Sequence, residues 1–561
     1  MREYKLKQFM ISILICAVFA VSLAALYSCQ SSAPSVDLII KGGKIYTMDP
    51  DQPEVEALVS ANGKIVFVGS NEEALKFATS ETLVIDLAGG CAVPGLIDAH
   101  AHLMNLGRSL SRLNLVGTES KEQVKELASN FVTTGPWILG RGWDQNDWEI
   151  KEFPHWRDLE GVSDKPINLR RVDGHAAWVN KRALEISGVT RDTPDPEGGR
   201  IIHDADGEPS GVFVDAAMGL VSRHIPMATL EEHVQWARAA LAECNKYGLV
   251  GIRDAGIDSM TIHAYEALAE TNELPLRIWG MLDGSDTVLM RRFHATGPQD
   301  FAQGRLKVRA VKLYADGALG SRGAALLEPY TDEPGNSGLL QVSSDSLGAM
   351  VNAAINSGFQ VCTHAIGDAG IRQTLDAYEK ALQANPNARH RVEHAQVISP
   401  ADIPRFAKLG VIAAMQPTHA TSDMYWAEDR VGAERITGAY VWRTLLDSGA
   451  RLAFGSDFPV ESANPLWGIY AAVTRQDHQG WPEGGWRAEE AVTMTEAVRG
   501  FTLDACYASF EENERGSLEV GKQTDITILD LDIFSQPPIR LLNTSVTHTI
   551  LDGKVVYRKE G

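Results

Sequence analysis

Apolar residues recur along the second half of this chain in a repeated order. A helical stripe comes first, often a glycine after it, then a short apolar or β-branched run closed by a polar residue. Leu347, Met350, Val351, Ala354 and Ile355 keep the i, i+3, i+4, i+7, i+8 spacing of one helix face; Gly358 stops that helix, and Phe359 opens a strand that runs into His364. The same order predicts a helix over 369–382 before a strand over 389–393 and His394, and a helix near 442–446 before a strand over 451–454 and Asp457. Between them, 411–415 reads as one more strand, ending near Gln416 and His419. Upstream, Val234, Ala237, Leu241 and Cys244 form a helical stripe that leads through Gly248 into a strand over 250–253.

Strands alternating with helices of this length predict parallel βαβ units and an α/β fold. Polar residues at the ends of several such strands favour a (β/α)8 TIM barrel, whose chemistry sits at the carboxyl ends of its strands. The doubly wound alternative lacks support, because no glycine-rich dinucleotide turn follows a strand. Both chain ends read differently. Short β-rich runs at 37–46, 55–60, 64–69 and 82–86, with turns at Gly42-Gly43 and Asn62-Gly63, match runs at 525–530 and 546–557. Isolated hairpins are marginal in water, so these segments predict a small composite β-sandwich from 36–95 and 505–561. The barrel then spans 96–504 and carries an inserted segment at about 106–230. That insert is rich in Trp, Asp, Gly and His, and makes Trp143, Asp144, Gln145, Asp147 and His175 candidates for a substrate wall or lid above the barrel mouth, with ordinary packing of the insert the alternative for Trp143 and Trp148.

At the amino terminus, Arg2, Lys5 and Lys7 precede an apolar stretch over 9–26, short for a spanning helix and suited to a secretory signal over 1–28. Leu26-Tyr27-Ser28-Cys29 resembles a bacterial lipobox, although Tyr27 is bulkier than that pattern usually carries. It implies lipidation of Cys29, a polar tether over 29–35 and an exported protein attached to a membrane; a plain amino-terminal anchor is the alternative. The net charge of -21 and the lack of a basic cluster argue against nucleic acid. Cys91, Cys244, Cys362 and Cys506 show no Cys-x-x-Cys spacing and read as buried free thiols. The expected partner is a small-molecule substrate, with a homo-oligomer left open.

Six residues carry candidate metal chemistry: His100, His102, Lys312, His364, His394 and Asp457. His100 and His102 stand at i and i+2 of a strand, so both imidazoles project to one face and can converge on a cation. Four histidines at strand ends are poorly explained as unrelated core residues. Nitrogen and carboxylate donors suit zinc, with manganese, iron or cobalt also compatible.

These residues, in the motifs Gly95-Leu96-Ile97-Asp98-Ala99-His100-Ala101-His102, Gly140-Arg141-Gly142-Trp143-Asp144-Gln145, Val311-Lys312-Leu313-Tyr314-Ala315-Asp316-Gly317, Thr363-His364-Ala365-Ile366-Gly367-Asp368, Val392-Glu393-His394-Ala395-Gln396 and Phe454-Gly455-Ser456-Asp457-Phe458-Pro459, resemble the metal-dependent amidohydrolase superfamily, in its family 3 or YtcJ-like branch. The resemblance implies a barrel, a small β-sandwich and hydrolysis of a non-peptide carbon–nitrogen bond in an amide, N-acyl compound, formamide or cyclic amide. It implies that His100, His102 and Asp457 hold one divalent metal, that His364 and His394 hold a second, and that Lys312 bridges both as an N-carboxylated side chain. An unmodified Lys312 reads instead as a salt-bridge or substrate-carboxylate lysine beside Asp316. Asp457 takes the part of proton carrier, and His175 and His419 that of substrate contacts, His175 holding a carbonyl or carboxylate. Asp368, Glu393 and Gln416 are candidates to orient the imidazoles. A mononuclear deaminase, a phosphotriesterase or lactonase, and a catalytically decayed binding lipoprotein are the competing readings.

Overall fold

The computed structural model of the chain describes residues 36–383 and 387–560. The expected signal peptide, Cys29 and the tether lie outside the described residues. Among the described residues, no helix is long and apolar enough to cross a membrane.

Eight parallel strands form a nearly closed barrel in chain order: Leu96–Ala101, Leu249–Ile257, Arg277–Asp283, Leu306–Tyr314, Gln360–Ala365, Arg391–His394, Ile412–Met415 and Arg451–Phe454. Each neighbouring pair from the first to the eighth is hydrogen-bonded in parallel register. Helices cover the outer face, so the strands are buried on both sides and read as nearly continuous buried runs. The seam between the eighth strand and the first is bridged at the carboxyl ends, where Asp457 N donates to His100 O at 2.8 Å and His102 N donates to Phe458 O at 2.9 Å. Gly455 permits this approach, since a Cβ there would lie 2.4 Å from His100 N.

The expected βα order is present. Helices Ser344–Asn356, Asp368–Leu382 and Trp442–Asp447 precede the fifth, sixth and eighth strands, and Leu230–Lys246 precedes the second. A capping box between Thr229 and Glu232 starts that last helix. Cys91, Cys244, Cys362 and Cys506 are buried free thiols.

The two chain ends meet beside the barrel. A four-stranded sheet holds Lys64–Gly69, Ala57–Ala61, Leu38–Lys41 and Leu83–Asp86; a six-stranded sheet interleaves Lys554–Arg558, Val546–Leu551 and Ile526–Leu529 with Cys91–Pro94, Lys44–Tyr46 and Glu54–Val55. Leu38, Ile40, Leu58 and Ile65 from the first sheet share an apolar cluster with Ile45, Ala92, Ile526, Ile528 and Ile550 from the second. Beneath the barrel, Arg277 ties its third strand to this region through Asp525, with Nε to Oδ2 at 3.0 Å.

The insert departs from the expectation of specificity loops. It builds a sheet of six strands, Gly199–His203, Pro209–Asp215, Ala176–Val179, Ile167–Arg171, Ile138–Trp143 and Leu113–Asn114, with apolar cores of its own. Trp143, Trp148 and Trp178 pack together in one of them, with ring centroids 6.0 to 6.3 Å apart. Three large rings supply enough apolar area to nucleate a separate core on a sheet this size.

Candidate active site

The first barrel strand delivers His100 and, one step past its end, His102. The fourth supplies Lys312, the fifth His364 and the sixth His394. Asp457 follows the eighth strand, and His419 lies in the short helix Pro417–Asp423 after the seventh. All except His102 and His364 are buried, and those two are partly so. Asp457 and His394 hold φ of +59° and +74°, a left-handed conformation that costs a non-glycine residue on the order of 1 kcal/mol or more and that clusters at functional sites.

His100, His102 and Asp457 converge. His102 Nε2 is 3.1 Å and His100 Nε2 3.6 Å from Asp457 Oδ1, and the donor atoms of the three lie within 4.8 Å of one another. Lys312 Nζ is 3.5 Å from His100 Nε2. The His394 ring stands 4.7 Å from that of His100 and 4.6 Å from that of His364.

Each inner imidazole is oriented by an acceptor on its far nitrogen. His100 Nδ1 donates to Glu393 in a short contact, His102 Nδ1 donates to Ala255 O at 2.9 Å, and His394 Nδ1 donates to Gln416 Oε1 at 2.8 Å. A neutral ring with its proton on Nδ1 presents the Nε2 lone pair, so three such lone pairs point into the mouth. Glu393 is anchored by Arg391, at 2.8 and 2.9 Å, and Arg391 also donates to Ala99 O at 2.6 Å. Against burial, Arg391 and His100 hold the Glu393 carboxyl down at about 2. Glu393 and Gln416 therefore orient imidazoles as expected, whereas Asp368 accepts from Leu327 N at 2.8 Å and touches none.

Burial pushes His100 down to about 4 and His364 down to about 3, each reinforced by the charge of Lys312. His394 is driven well below its ordinary value by burial and by its histidine neighbours. Burial opposes a charge on His102, but the Asp457 carboxylate, 3.1 Å from its Nε2, raises it; Asp457 is held low in return by His102 and the other imidazoles, despite its own burial. Asp457 Oδ1 is buried with no hydrogen bond of acceptable geometry. An orphaned carboxylate oxygen facing imidazole lone pairs is the donor set of a divalent cation such as zinc. These residues fit a metal.

A second convergence differs from the expected pair of His364 and His394. His394, His419 and Asp457 bring donor atoms within 4.8 Å of one another, while His364 Nε2 faces Gly317 O at 3.3 Å and Asp316 Oδ1 at 3.7 Å. His419 is a poor ligand in that group. Gln396 Nε2 donates to its Nδ1 at 3.3 Å, so Nδ1 is an acceptor and the ring proton sits on Nε2, which is buried, has no hydrogen-bond partner among the described residues and lies 3.8 Å from Asp457 Oδ2. That makes His419 a hydrogen-bond donor toward the mouth.

The insert candidates are placed elsewhere. Trp143 is fully buried and donates Nε1–H to Leu169 O at 2.8 Å, an arrangement that fits packing of the insert, the alternative to a substrate contact. Asp144 and Gln145 both bind Arg171, at 2.5 and 2.9 Å. His175 is exposed and bonded to Asp215 at 2.7 Å, and among the described residues no hydrogen bond or ion pair joins it to the barrel cluster.

The sequence profile of the amidohydrolase family matches residues 83–557. The chain belongs to the amidohydrolase family. It is 33% identical over 530 residues to the putative amidohydrolase YtcJ of Bacillus subtilis (strain 168), covering 92% of this chain and 99% of that one. The N-substituted formamide deformylase of Arthrobacter pascens is 26% identical over 551 residues, 94% of this chain and 99% of the relative. In structure, the amidohydrolase resembles an uncharacterized metal-dependent hydrolase from Pyrococcus furiosus with a TM-score of 0.74 at 29% identity, over 89% of this chain and 100% of the other.

Several supports of the amidohydrolase site had roles that the sequence motifs did not disclose. Asp98 accepts from His100 N and Ser456 N and from Ser456 Oγ at 2.6 Å, clamping the first strand to the Asp457 loop. Asp254 accepts from Leu103 N at 2.8 Å and Tyr265 Oη at 2.5 Å beside His102. Asp316 accepts three backbone N–H groups, from Ala325, Ile366 and Gly367. Each has at least one partner 50 or more residues away, so spacing could not reveal these roles.

Proposed function

We propose that this amidohydrolase cleaves a non-peptide carbon–nitrogen bond, in an amide, N-acyl compound, formamide or cyclic amide, with a divalent metal held by His100, His102 and Asp457. The observation that carries this reading is the orphaned Asp457 Oδ1 facing the Nε2 atoms of two buried or half-buried imidazoles. A divalent cation bound there supplies Lewis acidity and lowers the pKa of water from about 15.7 toward about 7. Asp457 accepts the proton of the attacking water and passes it to the departing nitrogen, which is otherwise a poor leaving group. His419 donates Nε2–H to the substrate oxygen. His175, from the insert, is read as a contact to a more distant carbonyl or carboxylate of the substrate.

Lys312 is read as an N-carboxylated bridge to a second metal near His394 and His364. It is buried and forms no salt bridge among the described residues, an expensive setting for an ammonium. Attack of its neutral amine on carbon dioxide forms the N–C bond and releases one proton, leaving an anionic oxygen donor. The outward turn of His364 toward Gly317 O favours a mononuclear deaminase as the second reading. The paired terminal sheets are read as the small β-sandwich, and Cys29 as the lipid-bearing first residue of an exported, membrane-attached protein.

Elemental analysis of the purified chain, with intact mass for an added carbon dioxide, tests the core of this reading. Two ions and the added mass support binuclear hydrolysis and a screen of N-formyl and N-acyl amines. One ion without the added mass supports the mononuclear alternative. No ion after supplementation rejects both and leaves the decayed binding protein.

A further inference from the structure

A cavity of about 860 Å3 lies between the insert and the outer barrel helices, lined by none of the candidate metal ligands. Its size falls within the range of small-molecule sites, roughly 300 to 1,000 Å3. Arg108 and Arg112, just after the first barrel strand, and Arg170, on the insert, line it together.

None of these three guanidinium groups has a salt bridge among the described residues, in a chain whose formal charge is -21. The charged neighbours of Arg112 are Arg108, Arg170 and Arg141, all of one sign, and burial followed by their repulsion pushes it down to about 10. The carboxylate on the wall, Glu232, is already engaged as the helix cap of Thr229, accepting from its N–H at 2.8 Å and its hydroxyl at 3.1 Å. Arg108 and Arg170 are exposed and Arg112 is half-buried, and Glu232 sets one negative charge against these three positive ones, so the wall keeps a positive excess that an anion offsets.

Two further features define the guest. Asn168 is 4% exposed, lines the cavity, and its carboxamide has no hydrogen-bond partner among the described residues. That amide opens onto the cavity, so its N–H donors are available to a guest oxygen. Beside the arginines, Trp137, Leu139, Ile225, Met227 and Trp236 form an apolar wall, and Met227 is 93% exposed. A guanidinium fork matches the two oxygens of a carboxylate.

We propose that the cleft between the insert and the barrel is a second binding site, for an amphipathic carboxylate whose head meets Arg108, Arg112, Arg170 and Asn168 and whose apolar body lies on Trp137 and Trp236. This site is independent of the metal chemistry.

Calorimetric titration of the full metal-loaded chain with 4-phenylbutyrate, beside its neutral counterpart 4-phenylbutan-1-ol, tests the assignment. The acid binds one per chain and the alcohol at least about tenfold more weakly, the loss expected when a charge-assisted pair is removed. Arg112→Gln and Arg170→Gln each weaken the acid about tenfold, while metal content and thermal midpoint stay at the parent values. Asn168→Asp, which sets a second anion against the head, abolishes binding. No binding by the parent chain, equal binding of acid and alcohol, or binding that survives both arginine substitutions overturns the proposal. In the last case the acid sits elsewhere, as at the metal centre.

Discussion

His102 Nε2 lies 3.1 Å from Asp457 Oδ1 although the two residues stand at opposite ends of the barrel sequence. The contact exists because the eighth strand returns to the first, where Asp457 N donates to His100 O and His102 N donates to Phe458 O across the seam. Barrel closure and site assembly are therefore one event. A change that loosens the seam disturbs the donor geometry as well.

Asp457→Asn keeps the shape and removes the negative charge and the proton-carrying capacity. Turnover should fall by about 100-fold or more with a smaller change in KM, the range for loss of a positioned acid–base group. Steady-state kinetics with measured metal content checks this, and near-parental kcat rejects the proton role.

Glu393→Gln tests the orientation of His100. The neutral amide weakens the acceptor for Nδ1–H and leaves Arg391 buried with less compensation. Metal affinity should drop about 10- to 100-fold, the usual effect of losing a group that orients a ligand. Competition against a chromophoric chelator measures it without reference to turnover.

The metal-free chain should lose stability as the medium is acidified. His100 has a folded-state value of about 4 against 6.5 as the reference, so the unfolded chain binds more protons between those values. That stability is fully present above about pH 6.5 and is lost as pH falls toward 4; His364, at about 3, extends the window downward. Thermal midpoints of chelator-treated protein from pH 7.5 to 4 follow the effect. A flat profile contradicts the buried neutral imidazoles.

Trp143→Ala should destabilise the insert by about 3 to 5 kcal/mol, through the cavity left by a fully buried ring and the unmet Leu169 carbonyl. Because the ring is sealed in that core, the folded fraction should keep its KM. Limited proteolysis within 106–230 and kinetics at low temperature separate the two effects. A raised KM with unchanged proteolysis restores a substrate role.

The βα order was legible because the helices at 344–356 and 368–382 carry one apolar face, and the strands after them carry a histidine at or next to their last residue. The insert was opaque for the converse reason. Its sheet mixes parallel and antiparallel pairs, and its tryptophans look alike whether they cover a ligand or one another. Asp144 and Gln145 illustrate the difficulty: polar loop residues beside a tryptophan suggested contact with substrate, yet both are engaged by Arg171.

By itself the sequence determined the alternation of strands and helices and the chemical types at the strand ends, since periodicity and ligand chemistry are local properties. Which nitrogen of each imidazole faces the mouth, the pairing of Glu393 with His100, the donor role of His419 and the uncompensated arginines of the second cleft were decided by tertiary structure alone. Each depends on groups far apart in the chain whose distances, burial and charges exist only once the barrel has closed.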